Sequence, residues 1–292
     1  MNNLTLGRSR DVIGALLLAL LCSGCAHRSV ADTKGTIACG PEVKRIRIEM
    51  HNGTLDLATL VAGAATDEIT WDGGLRRDAT TAEGLVEIEK VPTAMTWTLT
   101  KVAVDSEAAG TLVVRCPDAP KGVVGMIAYE GNLRIPAAIP VEVVVSGNGH
   151  VTMVGREAFS KVRTGRGDLR FEACKGGVEA NTGQGVLIAF DHEGDLDVRT
   201  GLGDMQVFIK QPGTKITLDT GQGTVQCHVP KETEFEVDAR AQIGRIGNDF
   251  GLEVRKVGEY SAALTGRRGS AKTRIILRTA SGHISLIERK SE

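Results

Sequence analysis

A single-stranded parallel β-solenoid, with about 18 residues per coil, is the fold this chain predicts. Three observations carry that expectation. Gly-x-Gly triplets recur at Gly147/Gly149, Gly165/Gly167, Gly183/Gly185, Gly201/Gly203 and Gly221/Gly223, a constant step until the last, which is slightly longer. A fixed period of that length marks a repeat architecture in which one short unit stacks on the next. Apolar and polar residues alternate on both sides of each triplet, as in Val162-x-Thr164 before and Leu169-x-Phe171 after. Period 2 means strands with one buried face. Aromatic residues make up only 3% of the chain, which suits a thin aliphatic core.

Each unit reads strand, turn, strand, turn. The triplet glycines mark a turn whose backbone visits positive φ, and Gly177, Gly194 and Gly213 punctuate the second turn. A unit this short cannot bury its own face. Coiling the chain so that equivalent strands pair in parallel solves that problem and sets neighbouring coils about 4.8 Å apart. Ser146, Thr164, Thr182, Thr200 and Thr220 then stack in a ladder whose hydroxyls satisfy turn backbone groups. Ile46-x-Ile48-x-Met50 running into Gly53, and Ile275-x-Leu277-x-Thr279 running into Gly282, extend the pattern towards both ends. Gly244 with Ile246 reads as a degenerate unit and 249–270 as an excursion before the last one. The organisation expected is a leader over 1–24, a tether over 25–41, an irregular solenoid part over 42–140 and regular coils over 141–288.

Arg8 and Arg10 precede an apolar run from Val12 to Leu21, too short to span a bilayer as a helix; this is the pattern of a secretory signal peptide. The run ends Leu21-Cys22-Ser23-Gly24-Cys25, which resembles the bacterial lipobox. By that resemblance Cys25 becomes the acylated first residue of a lipoprotein, carrying palmitate-type chains, and Ala26 after it points to the outer membrane. Cys39, Cys116, Cys174 and Cys227 remain. The compartment permits disulfides. Cys39 and Cys116 both fall in the irregular N-terminal part and are the pair expected to bridge, whereas Cys174 and Cys227 lie nearly three coils apart, too far for a bond.

The net charge of −1 gives no electrostatic reason to expect nucleic acid, and no basic stripe is interleaved with aromatics. Asp168 and Asp204 share a turn position two coils apart, roughly 9–10 Å by strand spacing, against the about 6.5–9.5 Å that inverting glycosidases use, but Asp after a turn glycine is ordinary turn chemistry. None of the six histidines forms an HxxxH or HExxH pair, so neither metal nor cofactor is expected. Arg166-Gly167-Asp168 spells a cell-attachment tripeptide but is one copy of the repeat turn. Gly266–Thr273 lacks the Gly before Lys272 that a phosphate loop needs. Trp71, Trp97, Tyr129 and Tyr260 are the Trp and Tyr side chains on which a sugar could stack. The chain is therefore not expected to be an enzyme.

One unit is apolar on both faces. If Leu187 and Ala189 point inward, Val186, Ile188 and Phe190 point outward and offer a partner patch. The T-G-x-G-x-[VLM] turns, the run LRIPAAIPVEVVVSGNGHVTMVG and the closing ILRTASGHISLIE resemble the bacterial putative-adhesin β-strand-repeat family, a domain of unknown function. The likeness covers about 130–288 well and 42–130 weakly. It implies a right-handed β-solenoid at the cell envelope and supplies no catalytic residues. The function expected is a lipid-anchored, non-catalytic structural or interaction module, held to the membrane by its N-terminal lipid, with an envelope protein or polysaccharide as partner. The rival readings are a polysaccharide-active β-helical enzyme and an envelope-stress sensor.

Overall fold

The computed structural model describes residues 27–59, 68–100 and 109–290. The signal peptide and Cys25 lie outside the described residues. In chain order the strands are β1 (His27–Ala38), β2 (Arg45–Met50), β3 (Asn52–Thr59), β4 (Glu68–Ala79), β5 (Thr96–Thr100), β6 (Thr111–Arg115), β7 (Gly125–Ile135), β8 (Val141–Val154), β9 (Ser160–Arg166) and β10 (Leu169–Glu172). They continue as β11 (Val178–Gln184), β12 (Leu187–Leu202), β13 (Met205–Gln222), β14 (Val225–Pro230), β15 (Phe235–Ile243), β16 (Ile246–Asn248), β17 (Val254–Lys256), β18 (Ala262–Arg268), β19 (Thr273–Ser281) and β20 (Ile284–Arg289). One helix, α1 (Ala82–Glu89), follows β4 and is capped by the Thr81 hydroxyl, which accepts from the Gly84 amide.

The repeat does what its spacing requires. Leu169 pairs in parallel with Val151 on one side and Leu187 on the other, each one repeat away in sequence. Val178 pairs likewise with Ser160 and Leu196. Where the spacing lengthens, Met205 pairs with Val225. Inward positions therefore stack in columns. Ile48, Val143, Val162, Ala180, Val198, Leu218, Leu277 and Ala239 form one, each almost fully buried. Each fully buried aliphatic side chain contributes about 1.5–3 kcal/mol. The hydroxyls of Thr164, Thr182, Thr220 and Thr279 donate to the glycine carbonyls at positions 149, 167, 203 and 223. Thr200 stands in the same column between Thr182 and Thr220, but its hydroxyl has no hydrogen-bond partner, contrary to the expectation. Ser146 is not part of this ladder. A bulge between Val145 and Asn148 puts Val145 beside Thr164, so Val145 is buried and Ser146 is exposed, bonded to His51 Nδ1.

The coil order departs from the chain order at both ends. β2 lies between β6 and β8, and β3 between β7 and β8, so the coil 45–58 is inserted between 111–135 and 141–154. At the other end β19 lies between β13 and β15, and β20 between β14 and β16. The last coil of the chain is thus inserted between 205–230 and 235–248. A sequential stack would have left it at the outer end. The stretch 42–140, expected to be irregular, supplies two regular coils.

Both ends are closed by antiparallel strands. β4 covers β7 and β1 covers β4, while β5 covers β6. At the opposite end β18 covers β15 and β17 covers β18. The excursion 249–270 is therefore an end cap, which removes long parallel edges that would template further pairing. The segment expected as a tether is β1 over 27–38, paired with β4 along its whole length.

Candidate functional site

In-register parallel pairing also stacks the outward side chains, and one outward column is aromatic. The Arg170 guanidinium lies 5.1 Å from the Phe190 ring centroid. Phe190 stacks on Phe208 at 4.9 Å and 14°, and Phe208 stacks on His228 at 4.2 Å and 16°. The spacing between strands is what brings the rings into contact. Ile188 sits in the neighbouring column between Arg170 and Gln206, and the Gln206 amide donates to Gln226 Oε1 at 3.2 Å. Val186 occupies the turn column and is 39% exposed, while Ile188 and Phe190 are half-buried. The Arg289 guanidinium reaches from the inserted last coil to Asp191, next to Phe190. Burial and the Arg289 charge hold the His228 imidazole below its ordinary pKa, and His228 Nε2 is buried without a hydrogen-bond partner.

The opposite outer face is charged. Arg47 pairs with Glu49 and Glu142, Lys161 with Glu179, and Arg240 and Arg278 with Asp238. Such partly exposed surface pairs contribute about 0–1 kcal/mol each. They make that face polar and leave the apolar column on the other face as the distinctive surface.

The turn column explains the irregular residues after the second glycine. The Asp168 amide donates to His150 Nδ1 at 3.1 Å, and the Val186 amide to Asp168 Oδ1 at 2.8 Å. The Thr224 amide donates to Asp204 Oδ1 at 2.7 Å, and the Arg245 amide to His283 Nδ1 at 3.1 Å. Asp and His recur here because each offers an acceptor to the exposed amide one coil on. Asp168 and Asp204 are thus engaged as turn caps. Asp168 of the Arg166-Gly167-Asp168 tripeptide has this same role. In the 266–273 segment, Arg267 donates to the carbonyls of Gly269 and Ser270, and Lys272 pairs with Glu234. These contacts close the turn between β18 and β19. Among the described residues no three His, Cys, Asp or Glu side chains converge as a metal site would need.

Sequence reasoning missed a polar stack inside the molecule. Arg156, Cys174 and His192 follow one another at the repeat period, and each is fully buried at the second turn. Arg156 donates to the carbonyls of Pro136, at 2.7 Å, and Ile139, pinning the 136–140 turn to the coil. Burial brings its guanidinium down to about 10. His192 Nε2 meets the Asp195 carbonyl at 3.0 Å. Burial holds the His192 pKa down and pushes the Cys174 thiol up. Cys227 sits in the core column, its thiol pushed up to about 12 by burial, and is inert. Cys116 follows β6, its thiol also pushed up to about 12 by burial; Cys39 follows β1 and is buried. Of the stacking candidates, Tyr129 is 1% exposed and belongs to the core; Trp71 lies in β4 against Gly35, Trp97 in β5, and Tyr260 on the end cap.

Parallel coils, in-register outward columns and antiparallel end caps define an end-capped β-solenoid. Residues 42–287 match the model of the Toastrack DUF4097 family, and the chain belongs to that family. Similar solved structures include a putative cell adhesion protein from Clostridium sporogenes, 15% identical with a TM-score of 0.40, covering 88% of this chain and 100% of that one. A putative adhesin from Bacteroides fragilis is 10% identical with a TM-score of 0.36, covering 88% and 97%. Another, from Parabacteroides merdae, is 11% identical with a TM-score of 0.29, covering 89% and 96%. No curated protein matches the chain. Among the described residues no helix is long and apolar enough to cross a membrane.

Proposed function

We propose that the chain is a lipid-anchored, adhesin-like interaction module of the bacterial cell envelope that works by binding and not by catalysis. The observation that carries this reading is the apolar column of Val186, Ile188 and Phe190 with its stacked neighbours Phe208 and His228, which runs unbroken across successive coils. The ring faces are taken up by one another and by Arg170, so only ring edges remain for a partner. That favours an envelope protein, whose aliphatic side chains fit between such edges, over a sugar that needs a free ring face. The polysaccharide-cleaving alternative loses its support because Asp168 and Asp204 already cap amides.

Lipid anchoring rests on Leu21–Cys25, and outer-membrane placement on Ala26. A right-handed coil follows the general hand of parallel β-crossovers. The structure shows the Cys116 thiol unbridged; the Cys39–Cys116 bridge belongs to the same proposal, as the form an oxidising compartment permits. Cys25→Ala tests the anchor. Wild type is expected in the membrane fraction, its mature N-terminus carrying acyl mass, and the variant in the soluble fraction. A Cys25→Ala chain retained in the membrane with unchanged mass overturns the anchor.

A further inference from the structure

We propose that the end of the solenoid formed by β1, β4 and α1 rests directly on the bilayer, with Val86 and Val124 at the lipid interface. This rests on the acylated Cys25 of the preceding proposal. β1 begins at His27, so Ala26 alone separates it from Cys25. Two residues of extended chain reach at most about 7 Å. With acyl chains in the bilayer, the start of β1 is therefore held at headgroup level. A free tether over 25–41 would have let the domain float; the structure leaves no such length.

β1 cannot be reeled out cheaply to lengthen the link. Its register with β4 runs from His27 opposite Ala79 to Ala38 opposite Glu68, and the Arg28–Asp78 ion pair closes the first turn of that ladder at 2.6 Å. Peeling it would leave the β4 edge unpaired.

What surrounds His27 fits a lipid surface. Its partner Ala79 is also paired with Gly125 at the start of β7. Ile88 of α1 packs where a Gly125 Cβ would stand, and Gly84 of α1 lies near Val123. The Thr80 amide donates to the Val124 carbonyl at 3.3 Å, so α1 and the 121–125 turn share this end with His27. Here Val124 is 71% exposed, Val86 is 55% exposed, and Val30, near the start of β1, is 53% exposed. Val124 and Val86 face away from the helix–sheet contact that buries Ile88.

The charges at this end leave a small acidic excess. Arg28 is paired with Asp78 and Lys90 with Glu87, while Glu83, Glu89 and Asp118 outnumber Lys121 and His27. Nothing there selects anionic lipid, so contact draws on the valines and the anchor and is insensitive to salt. The far edge strand β16 lies ten strand spacings from β1, about 48 Å. In this end-on pose the 249–268 cap and its 70% exposed Val257 project away from the membrane.

The test uses the mature lipidated chain in phosphatidylcholine vesicles with brominated acyl chains. Val124→Trp and Val257→Trp are compared after subtraction of the parent signal from Trp71 and Trp97. Val124→Trp emission is expected to be blue-shifted and quenched several-fold more than Val257→Trp, equally at low and high salt. Equal quenching at both positions, or none at Val124→Trp while the lipidated chain remains on the vesicles, overturns the docking and leaves the anchor standing. A mature chain without acyl mass, seen before any vesicle is added, is the separate failure of the anchor and takes the docking with it.

Discussion

Gly203→Ala is expected to lower the denaturant midpoint sharply. Gly203 has φ +149°, and a Cβ there would overlap the carbonyl oxygen of Gly185 in the coil beneath. Two costs add. A non-glycine residue in that φ region is strained by about 1–3 kcal/mol. The overlap cannot be relieved by a side-chain rotation, because the obstacle is backbone fixed by its own parallel pairing. Any shift must open the spacing between coils, and the same stacking continues at Gly223 over Gly203. The total expected is about 3 kcal/mol or more. Gly247→Ala is the control: nothing lies within contact of a Cβ there and its φ is not positive, so the change is near neutral. Urea unfolding of the two variants beside wild type makes the comparison. An unshifted midpoint for Gly203→Ala would mean that the coils do not stack glycine on glycine.

Removing residues 272–292 is expected to dismantle more than the coil it deletes. The lost strands carry Ile275, Leu277, Ile284 and Leu286, all essentially fully buried. Each contributes about 1.5–3 kcal/mol by burial alone. Because β19 and β20 lie between β13–β14 and β15–β16, their removal also strips both neighbours of their pairing partners. The coil 235–248 and its cap 249–268 then have no sheet to rest on. Hydrogen exchange should show protection lost from 235 to 268 and weakened over 216–230, which keeps its pairing on one side only, while 141–208 stays protected. A sequential stack gives the opposite pattern, in which losing the last coil leaves 216–248 intact. The milder Leu277→Ala is expected to cost about 2–5 kcal/mol through the cavity it leaves.

The two variants mark what was readable from the residues and what was not. Glycine turns, inward parity and most of the threonine ladder follow from neighbours within one coil; the parallel pairing of Leu169 with Leu187 returns the parity, and that of Thr164 with Thr182 the ladder. A repeat says which strands are equivalent, but not which equivalent strand stacks on which. The insertion of 273–289 before 235–248 depends on pairings distant in sequence, Ile275 with Ile216 on one side and with Val237 on the other, and no local pattern encodes it. The coil 111–135 escaped notice because it lacks the triplet: Tyr129 stands opposite Gly53, beneath an antiparallel strand where the stacking rule no longer applies. β1 reads as a tether because an edge strand exposes both faces and so shows little alternation. For the surface, parity alone turned Val186, Ile188 and Phe190 outward. The positions 190, 208 and 228 held the signal for the ring stack, and 156, 174 and 192 the signal for the buried polar stack. Both needed the repeat period applied to side chains other than glycine.

The measurement that bears most directly on the binding role is site-specific photocrosslinking in cells of the native bacterium. A benzophenone amino acid replaces Ile188 in one strain and Arg240, on the charged opposite face, in another. A discrete higher-mass adduct from position 188 and none from position 240 is the result expected if the aromatic column receives a protein partner. The same adducts from both positions, or none from 188 while the chain is correctly anchored and folded, would contradict it.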